Sequence, residues 1–307
     1  MRARGRYTPF MPAATDYTIL VPVKASTCGE GLGVWLTELA RHAGTRLVLL
    51  HVTPDLSDVE PAQARAVLDD ARALLHDCAQ RLALPAARID FRLAMGDAAS
   101  EIVKAGLLSG ADMTVMTTHA HSGLERLVEG GTTETVMRRA HSPTFICHAG
   151  QHPGLHGSGQ AIEKILVPLD GSAQSARIVD TVADLAHLTG ARVILHHDDQ
   201  GYLELEVPET ALDTGAQLEE YRAKLAADGI AVDIETSQLG KPAEEILNKI
   251  DELGVDLVAM TTHGRSSLAR VLFGSVTGSI LRHGRCPLLT LSTAPTRRLA
   301  HRAPKPA

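Results

Sequence analysis

Hydrophobic positions in this chain follow two patterns that take turns. Short apolar runs, KILVPL (164–169), ARVILHH (191–197), VDLVAMTT (255–262) and CPLLTLS (286–292), predict buried strands. IAVDIETSQL (230–239) alternates and predicts one more. Between these runs apolar residues return every three or four positions. Residues 172–190 carry Ile178, Val179, Val182, Leu185 and Ala186 at helical spacing, with Ser172 as N-cap and Gly190 as the stop. The stretches 208–229, 242–254 (Pro242 in its first turn) and 275–284 predict the other helices. The N-terminal half follows the same order.

The chain also repeats itself. Residues 110–147 and 254–291 align without a gap at an offset of 144, with 13 identities in 38 positions. YTILVPVKAS (17–26) matches EKILVPLDGS (163–172) at an offset of 146. Strand–helix alternation in two tandem units implies two α/β, doubly wound parallel sheets. Strand order 3-2-1-4-5 puts the ligand crevice between the carboxyl ends of the first and fourth strands. The expected units are 1–150 and 161–296, joined through AGQHPGLHGSGQ (149–160), with a basic, disordered tail at 297–307. Strands 142–148 and 286–292, too apolar to stay exposed, are expected to pair across a pseudo-twofold axis, packing the units as a pseudo-dimer.

Composition narrows the function. Aromatic residues are 3% of 307 and the net charge is −6, against stacking nucleic-acid binders and general polyanion binders. No apolar run reaches the length of a membrane span, and MRARGRYTPFMPAATD lacks the apolar segment of a secretory signal. Cys28, Cys78, Cys147 and Cys286 form no CxxC pair and read as reduced, cytoplasmic thiols.

Candidate chemistry gathers at two loops of the second unit. Thr261-Thr262-His263-Gly264 is followed, nine residues on, by Gly274-Ser275 at a helix start. Glycines admit a phosphate close to the backbone, and a helix amino end supplies N–H groups to it. Asp170, ending the first strand, is placed to accept from a base or ribose. The plainer reading is that Gly264 and Gly274 make turns and Ser275 caps its helix. Arg265 and Arg270 either neutralise phosphate charge or line a solvated helix face. His196-His197-Asp198-Asp199 has no metal-ligand spacing, and neighbouring strand residues point to opposite faces.

Asp170-Gly171-Ser172-x-x-Ser175 after ILVP, Gly240-x-Pro242-Ala243-x-x-Ile246 and THGRSSLARVLFGSVT resemble the universal stress protein family, and the likeness runs through both units. The resemblance implies tandem flavodoxin-like (adenine nucleotide alpha hydrolase-like) domains and a cytoplasmic, homodimeric stress regulator, not an enzyme. It also implies an unidentified regulatory protein partner and ATP, ADP or AMP as ligand, with Mg accompanying the nucleotide. Carried over by position, the nucleotide would meet Pro168, Leu169, Asp170 and His197 at the base and ribose side. It would meet Thr261, Gly264, Arg265, Gly274, Ser275, Val276 and Thr277 around the phosphates. Two departures stand out: Thr261 replaces the motif's first glycine, and His197 replaces a small apolar residue, a place that Val52 fills in the first unit. The first unit departs further, with Lys24 for Asp170, Ala120 for Gly264, Gly131 for Ser275 and Glu129 beside Gly130, so its site reads as degenerate. Two alternatives remain open at this point. One is a nucleotide-free interaction module. The other is an ATP-using enzyme of the same fold group, which the absent SGGxDS-like loop disfavours.

Overall fold

A computed structural model describes residues 17–24, 30–40, 44–82, 84–118, 131–148, 162–198, 214–237, 241–262 and 275–292. In the N-terminal half, strands β1 (Tyr17–Pro22), β2 (Thr45–Thr53), β3 (Ile89–Met95), β4 (Met113–Thr118) and β5 (Thr144–His148) alternate with helices. The helices are α1 (Glu30–Leu39), α2 (Pro61–Arg81), α3 (Ala98–Ser109) and α4 (Thr132–Arg139). The C-terminal half repeats the plan with β6 (Lys164–Pro168), β7 (Arg192–Asp198), β8 (Val232–Ser237), β9 (Leu257–Thr261) and β10 (Leu288–Leu291). Its helices are α5 (Ala173–Ala176), α6 (Ile178–Thr189), α7 (Thr214–Ala227), α8 (Pro242–Leu253) and α9 (Ser275–His283).

All these strands join one sheet in the order β3-β2-β1-β4-β5-β10-β9-β6-β7-β8. Each half therefore has the expected order 3-2-1-4-5, with parallel pairing inside it. The halves meet where β10 runs antiparallel to β5, Leu289 opposite Phe145, as the apolar last strands require. Ser292 Oγ donates to the Ala140 carbonyl across this seam at 2.7 Å.

Strands in a sheet covered on both faces need apolar side chains on both, which is why the runs are continuous. Ile19, Leu20 and Val21 of β1 and Ile165, Leu166 and Val167 of β6 are wholly buried. On one face, Trp35 of α1, Phe145, Val182 and Leu185 of α6 and Leu289 share a single core that crosses the seam. Trp35 and Phe145 stack tilted at 5.8 Å. On the other face, Met137 and Ile146 from the first half pack with Leu281 and Leu288 from the second. The halves thus share core side chains on both faces of the sheet.

Two sequence expectations change. The single helix expected over 172–190 is broken at Arg177, whose N–H turns back to Gln174 O and Ser175 O and ends α5 before α6 begins. Cys78, buried on α2, is disulfide-bonded, so the four thiols are not all reduced. The lack of a CxxC pair speaks only to neighbours in sequence, whereas folding brings distant cysteines together. Cys28, residues 208–213 and the tail 297–307 lie outside the described residues.

Candidate functional site

The crevice arises from how β6 and β9 part. They pair only through Ile165 with Leu257 and Leu166 with Val258. Val167, Pro168 and Leu169 then follow β7 instead, and the Leu169 N–H donates to His196 O at 2.8 Å. Asp170 follows, half-buried, and its Oδ1 accepts from the Ser172 N–H at 3.0 Å and from Ser172 Oγ at 2.6 Å. Gly171 between them has φ +78°, a conformation that favours glycine. Ser172 in turn caps α5 through the Ser175 N–H at 3.1 Å. Asp170 therefore anchors its own loop while it stands at the mouth of the crevice.

Across from it, Thr261 ends β9 and Thr262 follows, both buried, and the Thr262 N–H donates to Leu291 O at 3.0 Å. Helix α9 opens with exposed Ser275, half-buried Val276 and buried Thr277. Thr277 Oγ1 donates to Thr261 O at 3.5 Å and so pins the helix start to the end of β9. Pro168, Leu169, Asp170, Thr261, Ser275, Val276 and Thr277 all stand at the carboxyl ends of β6 and β9 or at the start of α9. Gly264, Arg265 and Gly274, like His263 and Arg270, lie outside the described residues.

His197 Nδ1 lies 2.7 Å from the Leu169 carbonyl. The first half repeats this contact with His51 Nδ1 and Val23 O at 2.9 Å. Register agrees: Pro22 faces Leu50, and Pro168 faces His196. His51 is thus the counterpart of His197, and Val52 is the counterpart of Asp198, which corrects the sequence alignment by one residue. The duplication keeps an imidazole clamped onto the end of each first strand. With its N–H on His196 O and its carbonyl on His197, the Leu169 backbone is engaged inside the protein.

His196 points to the opposite face, as strand alternation demands. It is 1% exposed, and its Nε2 lies 3.4 Å from Ser237 Oγ, which donates to Asp198 Oδ1 at 3.1 Å. Lys249 of α8 pairs with Glu235 at 3.3 Å and Glu252 at 3.1 Å beside it. Burial is the main cause that lowers the His196 pKa to about 4, with Lys249 and His197 acting the same way and Asp198 and Glu235 opposing. In the first half the corresponding layer is apolar, with Leu50, Val52, Ala94 and Ala105. Sequence reading saw the His196-His197-Asp198 cluster but not this network, because Ser237 and Lys249 come from β8 and α8. Among the described residues no group of three or more His, Cys, Asp or Glu side chains could hold a metal ion.

The universal stress protein family model matches residues 17–148 and again 161–292. The chain belongs to the universal stress protein family, as a tandem member. Universal stress protein YxiE of Bacillus subtilis is 32% identical over 143 residues, 41% of this chain and 96% of its own length. A universal stress protein of Mycolicibacterium smegmatis is 23% identical over 303 residues, covering 91% of this chain and 98% of its own. In three dimensions a universal stress protein from Archaeoglobus fulgidus matches with a TM-score of 0.67 over 90% of this chain and 96% of its own. At 21% identity that likeness establishes the fold alone.

In this universal stress protein the first-half crevice has other chemistry. β1 and β4 also part after two pairs, Ile19 with Met113 and Leu20 with Thr114. Lys24, exposed, takes the place of Asp170. Gly131 precedes α4 without a side-chain cap, and buried Glu134 sits in that helix's first turn. An ammonium where the other half has a carboxylate reverses the charge at the mouth, and the buried carboxylate opposes an anion at the helix start. Ala120, Glu129 and Gly130 lie outside the described residues. Among the described residues no helix is long and apolar enough to cross a membrane.

Proposed function

We propose that this universal stress protein binds one adenine nucleotide per chain, ATP, ADP or AMP, in the second-half crevice and acts as a stress-response regulator or sensor, not as an enzyme. The observation that carries the reading is the divergence of β6 and β9 beyond Leu166 and Val258, with Asp170 on one lip and the start of α9 on the other. A carboxylate at the first-strand end suits a base or ribose donor, and a helix amino end suits phosphate oxygens. The motif Gly264-x9-Gly274-Ser275 in the sequence agrees with that division of labour.

The test is calorimetric titration of the full chain with ATP, alongside assay of nucleotide released on denaturing freshly purified protein. One site per chain is expected. Asp170→Lys installs the first half's residue and removes the acceptor, a loss of about 1.5–3 kcal/mol, so affinity falls roughly tenfold or more. Asp170→Asn keeps an oxygen for Ser172 and loses less. Equal affinities for wild type and both variants, or no binding and no released nucleotide, would remove the proposal in favour of a nucleotide-free interaction module.

A further inference from the structure

The first half carries a cavity of about 220 Å³ between α3 and α4, against β4 and away from the carboxyl-end crevice. Ile102, Val103, Val136 and Ala140 form apolar walls. The deep end is polar: Thr114 Oγ1 and Ser142 Oγ, 2% and 5% exposed as residues, lie 3.4 Å apart. Leu107, 64% exposed, and exposed His141 stand at the mouth.

The duplication explains the space. Gly110 and Gly254 both end their helices in the left-handed conformation, at φ +63° and +60°. Asp112 and Asp256 both accept a first-strand amide. With these as anchors, Gly106 corresponds to Ile250, Thr114 to Val258, Ala111 to Val255 and Ser142 to Cys286. The second-half residues are all buried in one apolar cluster, so the Ile250 side chain fills the place that Gly106 leaves open. At matching positions the first half has Gly106, Thr114 and Ser142 where the second has Ile250, Val258 and Cys286. A hydroxyl pair can donate or accept, and no carboxylate, ammonium or guanidinium lines the walls. With the one titratable lining group, His141, at the mouth, a charged group placed at the deep hydroxyl end would give up its hydration without a counter-charge.

We propose that this cavity is a binding site for a small neutral amphiphile: an aliphatic or aromatic body of about six to eight heavy atoms bearing one hydroxyl or carbonyl. The size follows from cavities of about 150 Å³ that accept benzene. The body lies on Val103 and Val136, and the polar group bonds to Thr114 and Ser142. The site is independent of the nucleotide reading.

The test is methyl-resolved NMR of the full chain titrated with benzyl alcohol, with toluene and benzoate as size-matched comparators. Saturable shifts are expected at the Ile102, Val103 and Val136 methyls, at a Kd of about 1 mM for so small a ligand. Toluene, lacking the hydroxyl, should bind several-fold more weakly, and benzoate should give no saturation. Gly106→Ile should weaken benzyl alcohol at least tenfold. Gly106→Ala is a milder filler whose Cβ meets only Leu20 Cδ2 at 3.6 Å and Thr114 Oγ1 at 3.9 Å, so its fold is secure and its affinity intermediate. Absence of saturable shifts in wild type, undiminished binding by the isoleucine variant, or equal binding of benzoate would overturn the proposal. So would shifts that track protein concentration instead of probe, which mark a second copy in the cavity.

Discussion

Replacing His196 by leucine should remove a pH dependence from the stability of this protein. His196 titrates near 6.5 in an unfolded chain and at about 4 in the folded one, chiefly because burial disfavours the imidazolium. The folded pKa is depressed, so the neutral ring contributes its full stability above about pH 6.5. That contribution is lost as pH falls toward 4, because the unfolded state binds the proton first. The gap between 6.5 and about 4 amounts to about 3 kcal/mol once both states are protonated, and to about 2 kcal/mol at pH 5. Leucine fits by precedent: Leu50 holds the equivalent position, 1% exposed. Ser237 keeps its bond to Asp198 at 3.1 Å, so the substitution leaves no new orphan there. Urea unfolding at pH 7.5 and pH 5 should show wild type losing about 2 kcal/mol more than His196→Leu over that interval. Titratable groups remote from His196 cancel in the comparison. Parallel losses in the two proteins would show that the His196 ring is already solvated, and the reasoning from burial would fall.

Phe145→Ala should cost about 3–5 kcal/mol, and because the core crosses the seam, urea should unfold both halves together. Fluorescence of Trp35, the chain's one tryptophan, should then coincide with far-UV circular dichroism; two separated transitions would contradict the shared core. Cys147 and Cys286, buried and pushed up to about 12, should resist alkylation by iodoacetamide at pH 8 until denaturant is added, whereas rapid native labelling at either would place it at the surface. Lys24→Asp should leave ATP stoichiometry at one per chain, since buried Glu134 stays in the first turn of α4; a rise to two would show that Lys24 alone silences that crevice.

The strands were legible because the runs at 164–169 and 255–262 are largely apolar, as strands buried on both faces must be, whereas their order came from the common doubly wound arrangements and not from the runs. Ser172 and Gly190 were legible as caps because the chemistry of a helix end is local. The break at Arg177 was not, since its surroundings keep helical spacing through it. The crevice residues emerged from loop chemistry, yet His197 was aligned with Val52. A one-residue slip leaves no trace in apolar pattern once both candidates follow the last apolar strand position, and only the pairing of Pro22 with Leu50 and Pro168 with His196 resolves it. The Ser237–His196 contact spans 41 residues and the Cys78 disulfide joins positions without a motif, so neither had a local signature.

The antiparallel seam of β5 and β10 has a genetic consequence. In an assembly of two identical chains every substitution is written into both sites at once, so the sites must change or persist together. Here the two partners are encoded separately and held at a fixed ratio by a continuous backbone. Lys24 is free to differ from Asp170, and Gly106 from Ile250, with no second copy forced to follow. Each half is therefore at liberty to carry its own residues at the crevice and between its helices while the joined sheet keeps the two in one frame.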